Sequence, residues 1–69
     1  MTSINDFTSG ARFIYNDGQY WSTFVVEHLT KDTIRATIIN SNEYKRGEFI
    51  GFDLADMKDW ITSGFIRKV

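Results

Sequence analysis

The stretch Asn16-Asp17-Gly18 separates two β-rich runs, and it restricts the fold of this chain more than any other feature. Asp-Gly between such runs marks a hairpin, because Gly and its neighbour accept the positive φ that a tight turn needs. A short strand is expected at residues 12–15 and a longer one at residues 19–29. In the longer run Tyr20, Phe24 and Val26 point to one face while Trp21, Thr23, Val25 and Glu27 point to the other. Apolar groups occupy both faces, which suits a closed or strongly curled sheet better than a half-exposed ribbon.

Thr30-Lys31-Asp32 supplies the next turn. Residues 33–40 then send Ile34, Ala36 and Ile38 to one face and Thr33, Arg35, Thr37 and Ile39 to the other, the alternation of a strand laid on a core. A polar loop over residues 40–47 leads to a short strand at residues 48–52. After it, Asp53 is placed to cap a helix with its carboxylate, and Asp56 lies near the positive end of the dipole. Leu54, Met57 and Ile61, with Trp60 beside them, give that helix one apolar face. Gly64 stands where a left-handed residue ends it, and residues 65–69 form the closing strand.

Thr-Ser-Gly occurs twice, ending at Gly10 and at Gly64. The echo predicts two similar helix-to-strand corners, the first following a single turn that carries Ile4 and Phe7 and is capped by Ser3. The strands leaving these corners, at residues 12–15 and 65–69, are expected to pair and close the sheet.

A chain of 69 residues buries only roughly 60% of the surface its unfolded form exposes, so its stability margin is narrow. With no Cys and a single His, neither disulfides nor a structural metal can supplement the core. The core must therefore be dense in large side chains, and 42% of residues are hydrophobic and 16% aromatic. No Pro-rich, low-complexity or linker segment interrupts the sequence, so residues 1–69 form a single small domain. Bending five short strands into one barrel removes most exposed edges. The expected fold is mainly β, a small five-stranded SH3-like barrel with one short helix before the last strand. That architecture resembles SH3, Tudor and KOW-type barrels in strand count and in the helical turn before the last strand. Fold alone does not set function.

An enzyme is not expected. His28 ends a strand without an oriented partner or a nucleophile, and it reads as a surface histidine. Asp53, Asp56 and Asp59 recur every three residues, but the helix dipole accounts for the first two and no calcium-loop pattern is present. No cofactor or metal motif appears. Met1 is followed by polar Thr2 and Ser3, without a basic segment and an apolar run, so neither a signal peptide nor a membrane span is expected and a cytoplasmic location is the default.

Two contact surfaces remain. Tyr15, Tyr20 and Trp21 gather at the hairpin, and adjacent Tyr20 and Trp21 must face opposite sides of a strand, so at least one ring is free to anchor a partner or to cover a barrel end. With Tyr44 they make up the expected protein-contact set. The alternative is nucleic acid, with Tyr44 stacking on a base and Lys45, Arg46, Arg12, Arg35 and Arg67 meeting phosphate. Eight Lys or Arg against nine Asp or Glu leave no global field to attract it, and Asp6, Asp17, Glu27, Glu43 and Glu48 interrupt the patch. The leading expectation is a protein-binding module, an inhibitor or adaptor of a larger complex, similar in style to phage-encoded and accessory bacterial proteins that redirect a host assembly.

Overall fold

The computed structural model describes residues 3–69; Met1 and Thr2, read above as the polar start of the chain, lie outside them. Five strands, β1 (Arg12–Asn16), β2 (Trp21–Leu29), β3 (Thr33–Ser41), β4 (Phe49–Asp53) and β5 (Ile66–Lys68), form one antiparallel sheet in the order β4-β3-β2-β1-β5. A helix, α1 (Leu54–Thr62), joins β4 to β5, and a single 3-10 turn at Ile4–Asp6 precedes β1. The protein is mainly β with one short helix before its last strand.

The hydrogen-bonded ladder does not close into a barrel. The first and last strands pair as expected, with Phe13 opposite Lys68 and Tyr15 opposite Ile66, but β4 and β5 remain the two edges of the sheet. Between them lies α1, in contact with both edges and with the N-terminal turn. A five-residue edge and a three-residue edge linked through a helix leave the gap to be covered by the helix, not by a further ladder. Curl comes instead from the long central pair. Register shifts between Thr23 and Phe24 and between Val26 and His28 leave Ile39 of β3 and Glu27 of β2 without direct partners, and such bulges bend and twist a strand.

Local chemistry differs from the sequence reading at three corners. The first hairpin has a four-residue loop over residues 17–20 in place of the expected turn over residues 16–18, so β2 begins at Trp21 and Tyr20 belongs to the loop. Only Gly18 takes a positive φ there, 94°; Asp17 instead closes the loop with its carboxylate, accepting from the N–H groups of Gln19 at 2.9 Å and Tyr20 at 2.8 Å. At the start of α1, Asp53, which is also the last residue of β4, makes no side-chain cap hydrogen bond. The Leu54 N–H donates to the Asp32 carbonyl at 2.9 Å, so the neighbouring turn satisfies one of the free groups of the helix start.

The two Thr-Ser-Gly corners are built differently. At Gly64, φ 81°, the Phe65 N–H donates to the Trp60 carbonyl and the Gly64 N–H to the Ile61 carbonyl, the paired bonds of a Schellman helix end. At Gly10, φ 87°, the Ala11 N–H donates to the Thr8 carbonyl across a four-residue turn, with the helical turn already ended at Asp6. Ser3 does cap the N-terminal turn, accepting from the Asn5 N–H at 3.2 Å while Asp6 accepts from the Ser3 N–H at 2.9 Å.

The concave face of the sheet holds the core: Phe13, Phe24, Val26, Ile34, Ala36, Ile38 and Ile66, covered by Phe7 and by Met57 of α1. Phe7 stacks on Phe13 with ring centroids 3.9 Å apart, and Phe13 lies 6.0 Å from Phe24. These three fully buried rings carry the burial that a chain without cross-links depends on. Phe13→Ala is expected to cost about 3–5 kcal/mol, enough to remove most of the stability of a domain this small. Urea denaturation followed by circular dichroism tests this, and a loss below about 1 kcal/mol contradicts the assigned core.

Candidate functional site

The concave face is not filled along its whole length. Toward the hairpin end it opens into a cleft of about 210 Å³ with Ser22, Phe24 and Ile66 among its lining. The same cleft is lined by Tyr15, Phe52 and Trp60, and by Asp17, Tyr20, Glu43 and Tyr44. Four segments supply it: the sheet, the hairpin loop, the loop after β3, and α1.

Backbone alternation explains why these rings meet. Tyr15 shares the inward parity of Phe13 and lies opposite both Ser22 and Ile66. Its ring meets Trp60 edge-on at 5.3 Å and 69°, and Trp60 meets Phe52 at 5.8 Å and 87°. Trp60 therefore forms a corner with β1 on one side and β4 on the other. Rings set at such angles present edge hydrogens to neighbouring faces, the arrangement that aromatic quadrupoles favour.

Short polar side chains fix the loops. The Trp21 N–H donates to Asn42 Oδ1 at 2.8 Å, and Asn42 Nδ2 donates to the Gln19 carbonyl at 3.0 Å, tying the two loops together. Ser41 Oγ accepts from the N–H groups of Glu43 at 2.9 Å and Tyr44 at 3.0 Å. It also lies 2.9 Å from the hydroxyl of Ser22, the buried polar residue beneath the cleft. Through these bonds Ser41 and Asn42 hold Tyr44 against the core.

Negative charge concentrates here. The Tyr15 hydroxyl donates to Asp17 Oδ2 at 2.7 Å. Burial, this hydrogen bond and the nearby charges of Asp17 and Glu43 push the Tyr15 pKa up to about 12. Tyr44 is also raised, first by burial and then by Glu43 and Glu48. Asp17 moves the other way: the Tyr20 N–H, the Tyr15 hydroxyl and the Gln19 N–H hold its carboxyl below the usual range.

Of the expected protein-contact residues, Tyr15, Tyr20 and Tyr44 converge on this cleft, whereas Trp21 does not line it. Trp21 shares the outward parity of Thr23 and Val25 and is 37% exposed, so it is a surface ring and not a core one. The nucleic-acid set divides in the same way. Arg12, Arg35 and Arg67 are exposed on the convex face, where Arg12 lies opposite Val25 and Arg67 opposite Ile14. Tyr44 faces the cleft with the acids, and Lys45 and Arg46 are exposed on its loop. Sequence reading missed Phe52, Trp60 and Glu43 as lining residues. It also missed Ser41 and Asn42 as positioning residues, although the polar run Asn40-Ser41-Asn42 is of the kind that bonds its own backbone. Among the described residues no group of three or more His, Cys, Asp or Glu is placed to hold a metal ion, and no helix is long and apolar enough to cross a membrane.

The folded chain holds the Tyr15 proton more tightly than the unfolded chain, so this contribution to stability is full below pH 10 and is lost as pH rises toward 12. The depressed Asp17 carboxyl acts at the other end: its contribution is present above 3.8 and is lost as pH falls through the lowered value. Asp17→Asn is expected to lower the Tyr15 pKa toward 10 without reaching it, because burial persists. A titration of carbon-13-labelled tyrosines reads this directly, and an unchanged Tyr15 pKa contradicts the Asp17 contribution. Compared with known proteins, the chain matches no family model, no curated protein and no solved structure.

Proposed function

We propose that this protein is a small, cytoplasmic, non-enzymatic binding module, an SH3-like sheet closed on its open side by α1, that contacts a protein partner through its aromatic cleft. The reading rests on the convergence of Tyr15, Tyr20, Tyr44 and Trp60, from four separate parts of the chain, on one surface depression. Tyr and Trp are the residues that most often anchor protein interfaces, because they offer rigid apolar area with a polar edge. A cleft of about 210 Å³ is smaller than the roughly 300–1,000 Å³ of small-molecule pockets, so it suits one inserted side chain better than a cofactor. Surrounding contacts with the hairpin loop and the loop after β3 would complete the interface. In this reading the role is that of an inhibitor or adaptor: a small domain that occupies a partner's surface can block or recruit without chemistry of its own.

A second reading is favoured by one specific observation, the common convex face of Arg12, Arg35 and Arg67. Three cations on one sheet face can meet phosphates, and binding of that kind weakens steeply as salt rises.

Affinity capture with partner identification, followed by titration of the purified partner, separates the two. Tyr20 is 40% exposed, so Tyr20→Ala is expected to keep the fold by circular dichroism and to weaken partner binding by at least about tenfold. Arg12→Ala with Arg67→Ala is expected to leave that affinity within about twofold. Retention of the partner by Tyr20→Ala and its loss on removing the arginines contradicts the cleft. Salt-sensitive capture of DNA or RNA lost with those arginines establishes the second reading in its place.

A further inference from the structure

The cleft differs from an ordinary apolar depression in its charge. Its lining, among the described residues, combines aromatic rings with two carboxylates and contains no Lys or Arg. An aromatic face is negative at its centre, and a cation placed over it is attracted, most strongly over Trp. Asp17 and Glu43 add full charges to the same space. The Asp17 carboxylate is committed to the Tyr15 hydroxyl and to two backbone N–H groups, so its position is fixed before any ligand arrives. Glu43 is exposed, and its backbone N–H is anchored on Ser41.

Resting on the reading of the cleft as a partner-contact surface, we infer that its occupant is a cationic side chain of the partner protein, an ammonium or guanidinium head seated among Tyr20, Tyr44 and Trp60 with Asp17 and Glu43 beside it. Charge complementarity decides this against an apolar or acidic anchor. An acidic head would face two carboxylates, and an apolar one would leave the field of the site unused. Burial is the first cause of the raised Tyr15 and Tyr44 pKa values, and the charges of Asp17, Glu43 and Glu48 add to it in the same direction. The volume admits one long side chain. Lysine, methylated lysine and arginine share the recognised chemistry.

The test is a nuclear magnetic resonance titration of the intact protein with short peptides of the form acetyl-Gly-X-Gly-amide, where X is Lys, trimethyl-Lys, Arg, norleucine or Glu. The chain has two tryptophans, Trp60 in the cleft and Trp21 outside it, so their indole signals serve as probe and internal control. Cationic peptides are expected to shift Trp60 and Tyr44 saturably and to leave Trp21 unmoved. Glu43→Gln, which removes charge at an exposed position, is expected to weaken them by about two- to fivefold, the range of an exposed ion pair. The order among Lys, trimethyl-Lys and Arg identifies the source of the cation. The inference is overturned if the norleucine or Glu peptide moves Trp60 as far as the cations do, if Trp21 shifts equally, or if no cation moves Trp60. Should cations fail while Tyr20→Ala still abolishes partner binding, the partner-contact reading stands and only the cation is wrong. If partner binding ignores Tyr20→Ala, the contact reading itself fails, whatever the peptides do.

Discussion

The ring of Trp60 joins parts of the sheet that its own hydrogen bonds leave apart. It meets Tyr15 of β1 and Phe52 of β4 edge-on, and those strands are separated by β2 and β3 in the ladder. Without that contact the concave face of the curled sheet lies uncovered between its two edges. With it, α1 is held across the gap, and Met57 and Ile61 can pack on the core. A small domain with no disulfide needs such a closure, since each unpaired edge exposes backbone groups and costs it burial it cannot replace elsewhere. The helix here serves in place of a further strand pairing.

The same closure makes the cleft. Phe7, Phe13 and Phe24 fill one part of the concave face with stacked rings, while Tyr15, Phe52 and Trp60 meet at steep angles in the part nearer the hairpin. Polar loops then define the mouth: Asn42 links the hairpin to the loop after β3, and Ser41 bonds the backbone that carries Glu43 and Tyr44. Both buried and exposed polar groups are used in this framework, and no buried side-chain nitrogen or oxygen among the described residues lacks a partner. The depression is thus walled by hydrogen-bonded segments, which favours a contact surface organised before binding.

The strands, their order along the chain and the helix could be read from the sequence because they rest on periodicity and punctuation. Ile34, Ala36 and Ile38 were expected as an inner row, and all three are fully buried. Gly64 announced the helix end correctly for the same reason, a local one. Three things were not legible. Phe7 lies outside any strand, so no alternation marks it as core, yet it stacks on Phe13. Closure of the barrel was inferred from strand count, and strand count says nothing about whether a helix occupies the last gap. The cleft itself depends on Trp60 and Phe52, whose approach to Tyr15 is set by tertiary packing, so Tyr15, Tyr20 and Tyr44 could be picked out singly but not their meeting place. Trp21 shows the converse. Parity alone required Tyr20 and Trp21 to face apart, but only the fold decides which of them borders the cleft.

The central claim is that α1, through Trp60, bridges the β4 edge and β1 across the open side of the sheet and thereby creates the aromatic cleft. A NOESY spectrum of the isotopically labelled protein tests it most directly. The account predicts cross-peaks from the Trp60 indole to the rings of both Tyr15 and Phe52, with no cross-strand backbone contacts between β4 and β5. Backbone contacts between those two strands, or a Trp60 ring without contact to either neighbour, would contradict it.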